Sequence, residues 1–122
     1  MTEISIDPSK TKIAVQVTSQ SLHALGFEIT VFASDGNIVI EQFNGSTASN
    51  KSFVQTLKKK PSEYRGNYIK GIFTVISPDG TDYLYSIIFS IFEDDILVNP
   101  NMNLTGTTTK GEKTSIANYH IN

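Results

Sequence analysis

The sequence predicts an all-β fold: an antiparallel two-sheet sandwich with Greek-key connections, immunoglobulin-like or jelly-roll-like. Three observations point there. Apolar residues recur at every second position in segment after segment, which is the period of a strand with one buried face. Clusters of Ser, Pro, Asp, Gly and Asn punctuate those segments at short intervals, supplying turn chemistry. No stretch sustains an apolar period of about 3.6 residues, so helices find no support. Roughly seven to nine short strands in one chain is the pattern of a sandwich or barrel. The chain has 122 residues, which fits a single domain over residues 1–122 and can bury a core without disulfides or metals. It contains neither Trp nor Cys, so the Cys–Trp–Cys hallmark of true immunoglobulin domains is absent.

Taken in order, Ile13, Val15 and Val17 alternate with Ala14, Gln16 and Thr18, giving a strand with one buried face. Leu25, Phe27, Ile29 and Val31 alternate with Gly26, Glu28, Thr30 and Phe32. Ser34-Asp35-Gly36-Asn37 then supplies a turn, and Ile38 and Ile40 oppose Val39, Glu41 and Phe43. Residues 24–43 therefore read as a hairpin. Asn44 to Asn50 is polar and turn-rich. Ser52 to Leu57 reads as a short strand with Phe53, Gln55 and Leu57 on one side. Residues 58–66 form a loop with one helical turn after Pro61. Alternation returns from Asn67 to Ser77, and Pro78-Asp79-Gly80 leads into the next strand. Residues 67–92 thus read as a second, longer hairpin. Ile96-Leu97-Val98 is a short continuation that Asn99-Pro100-Asn101 breaks. Leu104 to Thr109 and Thr114 to Ile121 complete the set.

Residues 83–92 are the most apolar strand. One face carries Tyr83, Tyr85, Ile87, Phe89 and Ile91, the other Leu84, Ser86, Ile88, Ser90 and Phe92. Neither face is polar, whereas a half-exposed antiparallel strand should alternate cleanly. Something covers both sides. Tyrosine hydroxyls favour water at one end of the ring. The Tyr83, Tyr85, Ile87, Phe89 and Ile91 face is therefore expected to be the less enclosed one and the candidate interface, with Ile88 on the core side.

Composition excludes several functions. The formal net charge is −2, which gives no basic face for nucleic acid. Without cysteine there is no thiolate chemistry. The N-terminal residues carry neither a basic region nor an apolar run, so no signal peptide is visible. The expectation is a cytoplasmic protein or the released mature form of a secreted one. No apolar run reaches the length of a membrane-spanning helix.

Few groups could carry chemistry. The two histidines, His23 and His120, lack a Gly-x-Ser-x-Gly elbow or other nucleophile motif. Asp79 and Asp82 are separated from Glu93, Asp94 and Asp95 by a full strand, too far to ligate one calcium ion. No metal or cofactor is expected. Lys58, Lys59, Lys60 and Arg65 form the one basic cluster, a candidate patch for a phosphate, a sulfated glycan or an anionic lipid surface. Sequons at Asn44, Asn50 and Asn103 hardly exceed the roughly two expected by chance in so Ser- and Thr-rich a chain.

These readings favour a non-enzymatic interaction module that self-associates or docks on a protein partner through a sheet face or edge. A carbohydrate-binding, lectin-like sandwich is the alternative, using Asn, Thr and Tyr in loops 44–50, 60–68 or 99–112. A membrane-surface β protein acting through the lysine cluster is the third.

Overall fold

Alternation in the sequence becomes alternation of burial in the structure. A computed structural model describes residues 1–20, 24–48, 51–77 and 79–122. Among these residues nine strands form: β1 (Thr2–Ile4), β2 (Ile13–Ser19), β3 (Ala24–Phe32), β4 (Val39–Thr47), β5 (Ser52–Thr56), β6 (Tyr68–Ile76), β7 (Leu84–Glu93), β8 (Ile96–Thr107) and β9 (Glu112–Ile121). One 3₁₀ turn, Pro61–Tyr64, stands between β5 and β6. A five-stranded sheet has the order β1-β9-β6-β3-β4, and a four-stranded sheet the order β5-β2-β7-β8. All pairings are antiparallel except β1 with β9. The fold is the expected all-β sandwich.

The connections are Greek keys. β3 and β4 form a hairpin, β5 crosses to the other sheet, and β6 returns beside β3. β4 and β5 touch across one open side of the sandwich, and β8 and β9 across the other. The spatial orders 6-3-4-5 and 6-9-8-7 are each the Greek-key pattern.

The expected hairpin over residues 24–43 is present, and β4 runs on through the polar segment to Thr47. Its turn is held by the Asp35 carboxylate, which accepts from the amides of Asn37 (2.9 Å) and Ile38 (3.2 Å). Gly36 sits at φ 78°, where a side chain would be strained. The expected hairpin over residues 67–92 is overturned. β6 lies in one sheet and β7 in the other, because the linker between them is long enough to cross the roughly 10 Å between stacked sheets. Described residues of that linker are pinned by side chains. Asp79 accepts from the Ser77 hydroxyl (2.7 Å) and the Thr81 amide (2.9 Å), and Asp82 accepts from the Gly111 amide (2.9 Å).

The second hairpin is instead β7–β8. Glu93 pairs with Ile96 across Asp94 and Asp95, which stand at φ 48° and 68°. Two consecutive positive-φ residues match the right-handed twist of a two-residue hairpin loop, and Asp tolerates that region better than most residues. β8 also continues through Asn99-Pro100-Asn101 rather than stopping there. A register shift between Phe89 and Ile91 absorbs the extra residues, and the Asn99–Pro100 bond is cis.

The face assignment of residues 83–92 is overturned too. Tyr85, Ile87, Phe89 and Ile91 are buried in the core with Ile13, Val15 and Val17 of β2 and with Leu25, Ile29, Ile69, Phe73 and Val75 of the opposite sheet. Ile88 is half-buried on the outer side. Tyr85 needs no water at its ring end, because its hydroxyl meets a polar partner inside, 3.0 Å from the Ser115 hydroxyl of β9. Glycine at position 106 leaves room for that ring, since a Cβ there would lie 2.7 Å from the Tyr85 hydroxyl.

Phe89 packs edge-on between Phe73, with centroids 5.2 Å apart, and Tyr119, at 5.1 Å. The fully buried Tyr119 hydroxyl donates to the carbonyl of Phe89 at 2.6 Å and, more weakly, to that of Pro100 at 3.2 Å. Phe89→Ala should cost about 3–5 kcal/mol. Tyr119→Phe should cost about 1–3 kcal/mol by orphaning buried backbone groups. Ile88→Asp, whose carboxylate would face water, should leave the fold intact. Urea titrations of the three variants check this ranking.

Candidate functional site

The interface set read from the sequence does not form a surface. Tyr85, Ile87, Phe89 and Ile91 are enclosed by the second sheet, while Tyr83 lies at the rim, 37 % exposed. The surface of that strand is its other face: Leu84, Ser86, Ile88, Ser90 and Phe92. Leu84 is 80 % exposed, whereas Ser90 is buried among its neighbours.

Strand register extends this face across the four-stranded sheet. Ala14, Phe92 and Leu97 lie side by side on β2, β7 and β8. Thr18, Ile88 and Asn103 form a second row, and Gln16 lies between Ser90 and Val54. Val54 of β5 is 59 % exposed. Thr18 and Ser52 share a hydrogen bond of 2.8 Å across β2 and β5. The only charged residue in these four strands is Glu93, and it is buried on the inner side. Charge begins at the end of the sheet, where Lys12 meets Asp95 at 3.3 Å. The opposite sheet differs. Its strands carry Glu3, Glu28, Lys70, Glu112 and Lys113 among their exposed or half-exposed residues.

The lysine cluster is a braced loop with free side chains. Its backbone is held by Glu41 of β4, a buried carboxylate that accepts from the Lys58 amide at 3.1 Å and from the Tyr64 hydroxyl at 2.6 Å. The Lys59 amide donates to the Tyr64 hydroxyl at 3.0 Å, and the Lys60 amide to Glu63 at 2.9 Å. Burial, then the bond to Glu41, pushes the Tyr64 phenol well above its ordinary range. Lys58, Lys59, Lys60 and Arg65 are exposed, and among the described residues none forms an ion pair. Sequence reasoning missed Glu41 and Tyr64 as a pair because nothing in the chain marks two residues so far apart as partners.

Of the histidines, His23 lies outside the described residues. His120 stacks on Tyr68 with centroids 4.5 Å apart and meets Glu3 at 2.8 Å, tying β1 to β9. Asn44 and Asn103 are exposed on edge strands, and Asn50 lies outside the described residues. Asp94 accepts from the Thr11 amide and hydroxyl and from the Lys12 amide. Among the described residues no group of three or more His, Asp or Glu is placed to hold a metal ion. No helix among them is long and apolar enough to cross a membrane.

Two concavities stand out among the described residues. One of about 420 Å³ lies between the N-terminal segment and the β7–β8 hairpin, lined by Ile6, Asp7, Lys10, Glu93 and Val98 among others. The other, of about 340 Å³, lies at the end of the five-stranded sheet against Phe32, Asp35, Tyr68, Lys70 and Asn118. Comparison with protein-family models, with curated proteins and with solved structures found no match.

The acidic groups respond to pH in opposite senses. Hydrogen bonds hold Asp7, Asp35, Asp79 and Asp94 below their ordinary range, and for Asp79 the Ser77 hydroxyl contributes most. A depressed carboxyl contributes stability that is present above its unfolded value and lost as pH falls through its folded value. Burial instead raises Glu93. Its ionised form therefore destabilises the fold at neutral pH, and that penalty vanishes as pH falls below the ordinary glutamate value. Glu93→Gln keeps an acceptor for the Asp7 amide. It should gain melting temperature relative to the parent at neutral pH, and the gain should disappear near about pH 4.

The Lys58, Lys59 and Lys60 side chains should be dispensable for folding. Their joint replacement by Ser should change stability by less than about 1 kcal/mol. Tyr64→Phe should cost about 1–3 kcal/mol, because it strips a bond from buried Glu41 and another from the Lys59 amide. Denaturant melts of both variants separate a braced backbone from paired side chains.

Proposed function

We propose that the protein is a non-enzymatic interaction module that self-associates through the outer face of its four-stranded sheet. The observation that carries this reading is the absence of charge from that face, together with exposed or half-exposed Val54, Leu84, Ile88, Phe92 and Leu97. Depletion of charge with retained apolar area is what marks the centre of a protein interface. Four strands spaced by about 4.8 Å, over about six residues of about 3.3 Å, give a face on the order of 400 Å². A standard interface buries about 800 Å² per partner. The module therefore belongs to the weak, concentration-dependent class, where association gains from high local concentration or from several copies on one assembly.

Sedimentation over a concentration series tests this. The parent chain should move from monomer toward dimer as concentration rises. An Ile88→Lys, Phe92→Lys pair should stay monomeric throughout, with a melting curve close to that of the parent. A parent chain that is monomeric at every concentration would overturn the reading.

The concavity at Tyr68 favours a second reading, a carbohydrate site. Tyr68 and Phe32 offer ring surface there, with Asp35, Asn118 and Lys70 as hydrogen-bonding groups, the mix of apolar walls and a few polar groups that small-ligand sites use. A glycan array read with the parent chain and a Tyr68→Ala variant tests it. Hits lost in the variant support the site, and an array without hits removes it.

A further inference from the structure

Glu93 presents a different problem from any other acid in the chain. Its residue is only 5 % exposed, yet among the described residues its single hydrogen-bond donor is the backbone amide of Asp7, which meets the two carboxylate oxygens at 3.0 and 3.2 Å. An ionised carboxylate offers about four acceptor sites. Among the described residues no ion pair neutralises it. A buried charge is ordinarily paired or hydrogen-bonded on all sides, because leaving it uncompensated is costly. The chain retains this one beside a concavity of about 420 Å³.

The lining of that concavity has two parts. Ile6, Ile96, Leu97 and Val98 form apolar walls, and Ile96 leaves more than half of its area open to solvent. Glu3, Asp7 and Glu93 outnumber the one cation, Lys10. Lys10 is near enough to act on Glu93 through space but does not bond to it. We infer that this cavity is a binding site for an ammonium or guanidinium group carried on a short aliphatic stem. The cationic head supplies the donors that Glu93 lacks, and the stem lies along Ile6, Ile96 and Val98. An anion is disfavoured by the three carboxylates. A neutral apolar ligand would leave Glu93 as uncompensated as before. The site lies at one end of the sandwich, and the inference does not rest on self-association.

The test is a ¹⁵N chemical-shift titration of the whole chain with agmatine, with n-pentanol alongside as an uncharged aliphatic control. The Asp7 amide is the reporter, since it is the group already bonded to Glu93. Agmatine should shift it saturably, with a low-millimolar dissociation constant as expected for so small a ligand. Pentanol should not shift it. Glu93→Gln should weaken agmatine binding about tenfold or more, the loss of a charge-assisted hydrogen bond. Lys10→Met, which removes the resident competitor, should strengthen it. A capped Gly-Arg-Gly peptide, whose side chain is its only cation, identifies the source. Binding of agmatine alone marks a small-amine site, and binding of both marks a pocket that accepts a partner's arginine. Equal shifts with pentanol, unchanged affinity in both variants, or no saturable shift would each overturn the proposal.

Discussion

One buried hydroxyl joins the two sheets where the ladder between β7 and β8 is broken. The register of that pair slips between Phe89 and Ile91, and a slipped ladder leaves backbone groups without their strand partners. Tyr119 reaches across from the five-stranded sheet to that point. Its hydroxyl donates to the Phe89 carbonyl and, more weakly, to that of Pro100, so one side-chain oxygen ties the slipped stretch of ladder to the opposite sheet. Burial raises the phenol far above its ordinary range, so it stays protonated and able to donate. The same ring packs edge-on against Phe89. Tertiary packing and backbone satisfaction thus meet in a single residue, and the path of β8 through Pro100 depends on it.

What the sequence made legible follows from what period-2 alternation can encode. In β2, β3 and β6 one alternating set is the more apolar, and Val15, Val17, Phe27, Ile29, Ile69 and Phe73 are buried where alternation places them. Alternation gives a strand's two faces, but it does not say which sheet the strand joins. That is why Pro78-Asp79-Gly80 reads as a hairpin turn although β7 pairs with β2 and β8. For β7 both faces are apolar, so the choice of the inner one falls to secondary cues. Ser86 and Ser90 were the correct cue, marking the outer side. Tyr85 was the misleading one, because its partner Ser115 lies thirty residues away in sequence. The concavity at Glu93 was illegible for a related reason. A charge next to a turn normally faces water, and only the fold brings the Asp7 amide onto it.

The two outer faces are built differently, and the difference limits what each can do. On the five-stranded sheet, Lys70 lies opposite Asn118 and Thr30, Glu28 lies beside Gln42, and His120 pairs with Glu3. Placing such a face against a dry partner would strip water from several charges, which costs more than their mutual attraction returns unless each is matched. The four-stranded sheet presents hydroxyls, amides and apolar groups, whose desolvation costs less than that of charges. Face-to-face contact is therefore physically cheaper on that side.

The sheet edges are the other surfaces open to pairing. Strand parity leaves the backbone groups of Thr114 and Ile116 without a strand partner on the far side of β9, because the pairing with β1 begins only at its C-terminal end. β8 is long and uncharged but is interrupted at Pro100, which has no amide to offer an incoming strand. β5 is short and flanked by Lys51 and Lys58. Interruption, shortness and flanking charge are the devices by which edge strands avoid pairing with other chains. In the four-stranded sheet these devices guard the edges β5 and β8, whereas its outer face carries no charge. Charges lie only at its margins and leave the apolar residues of the face open.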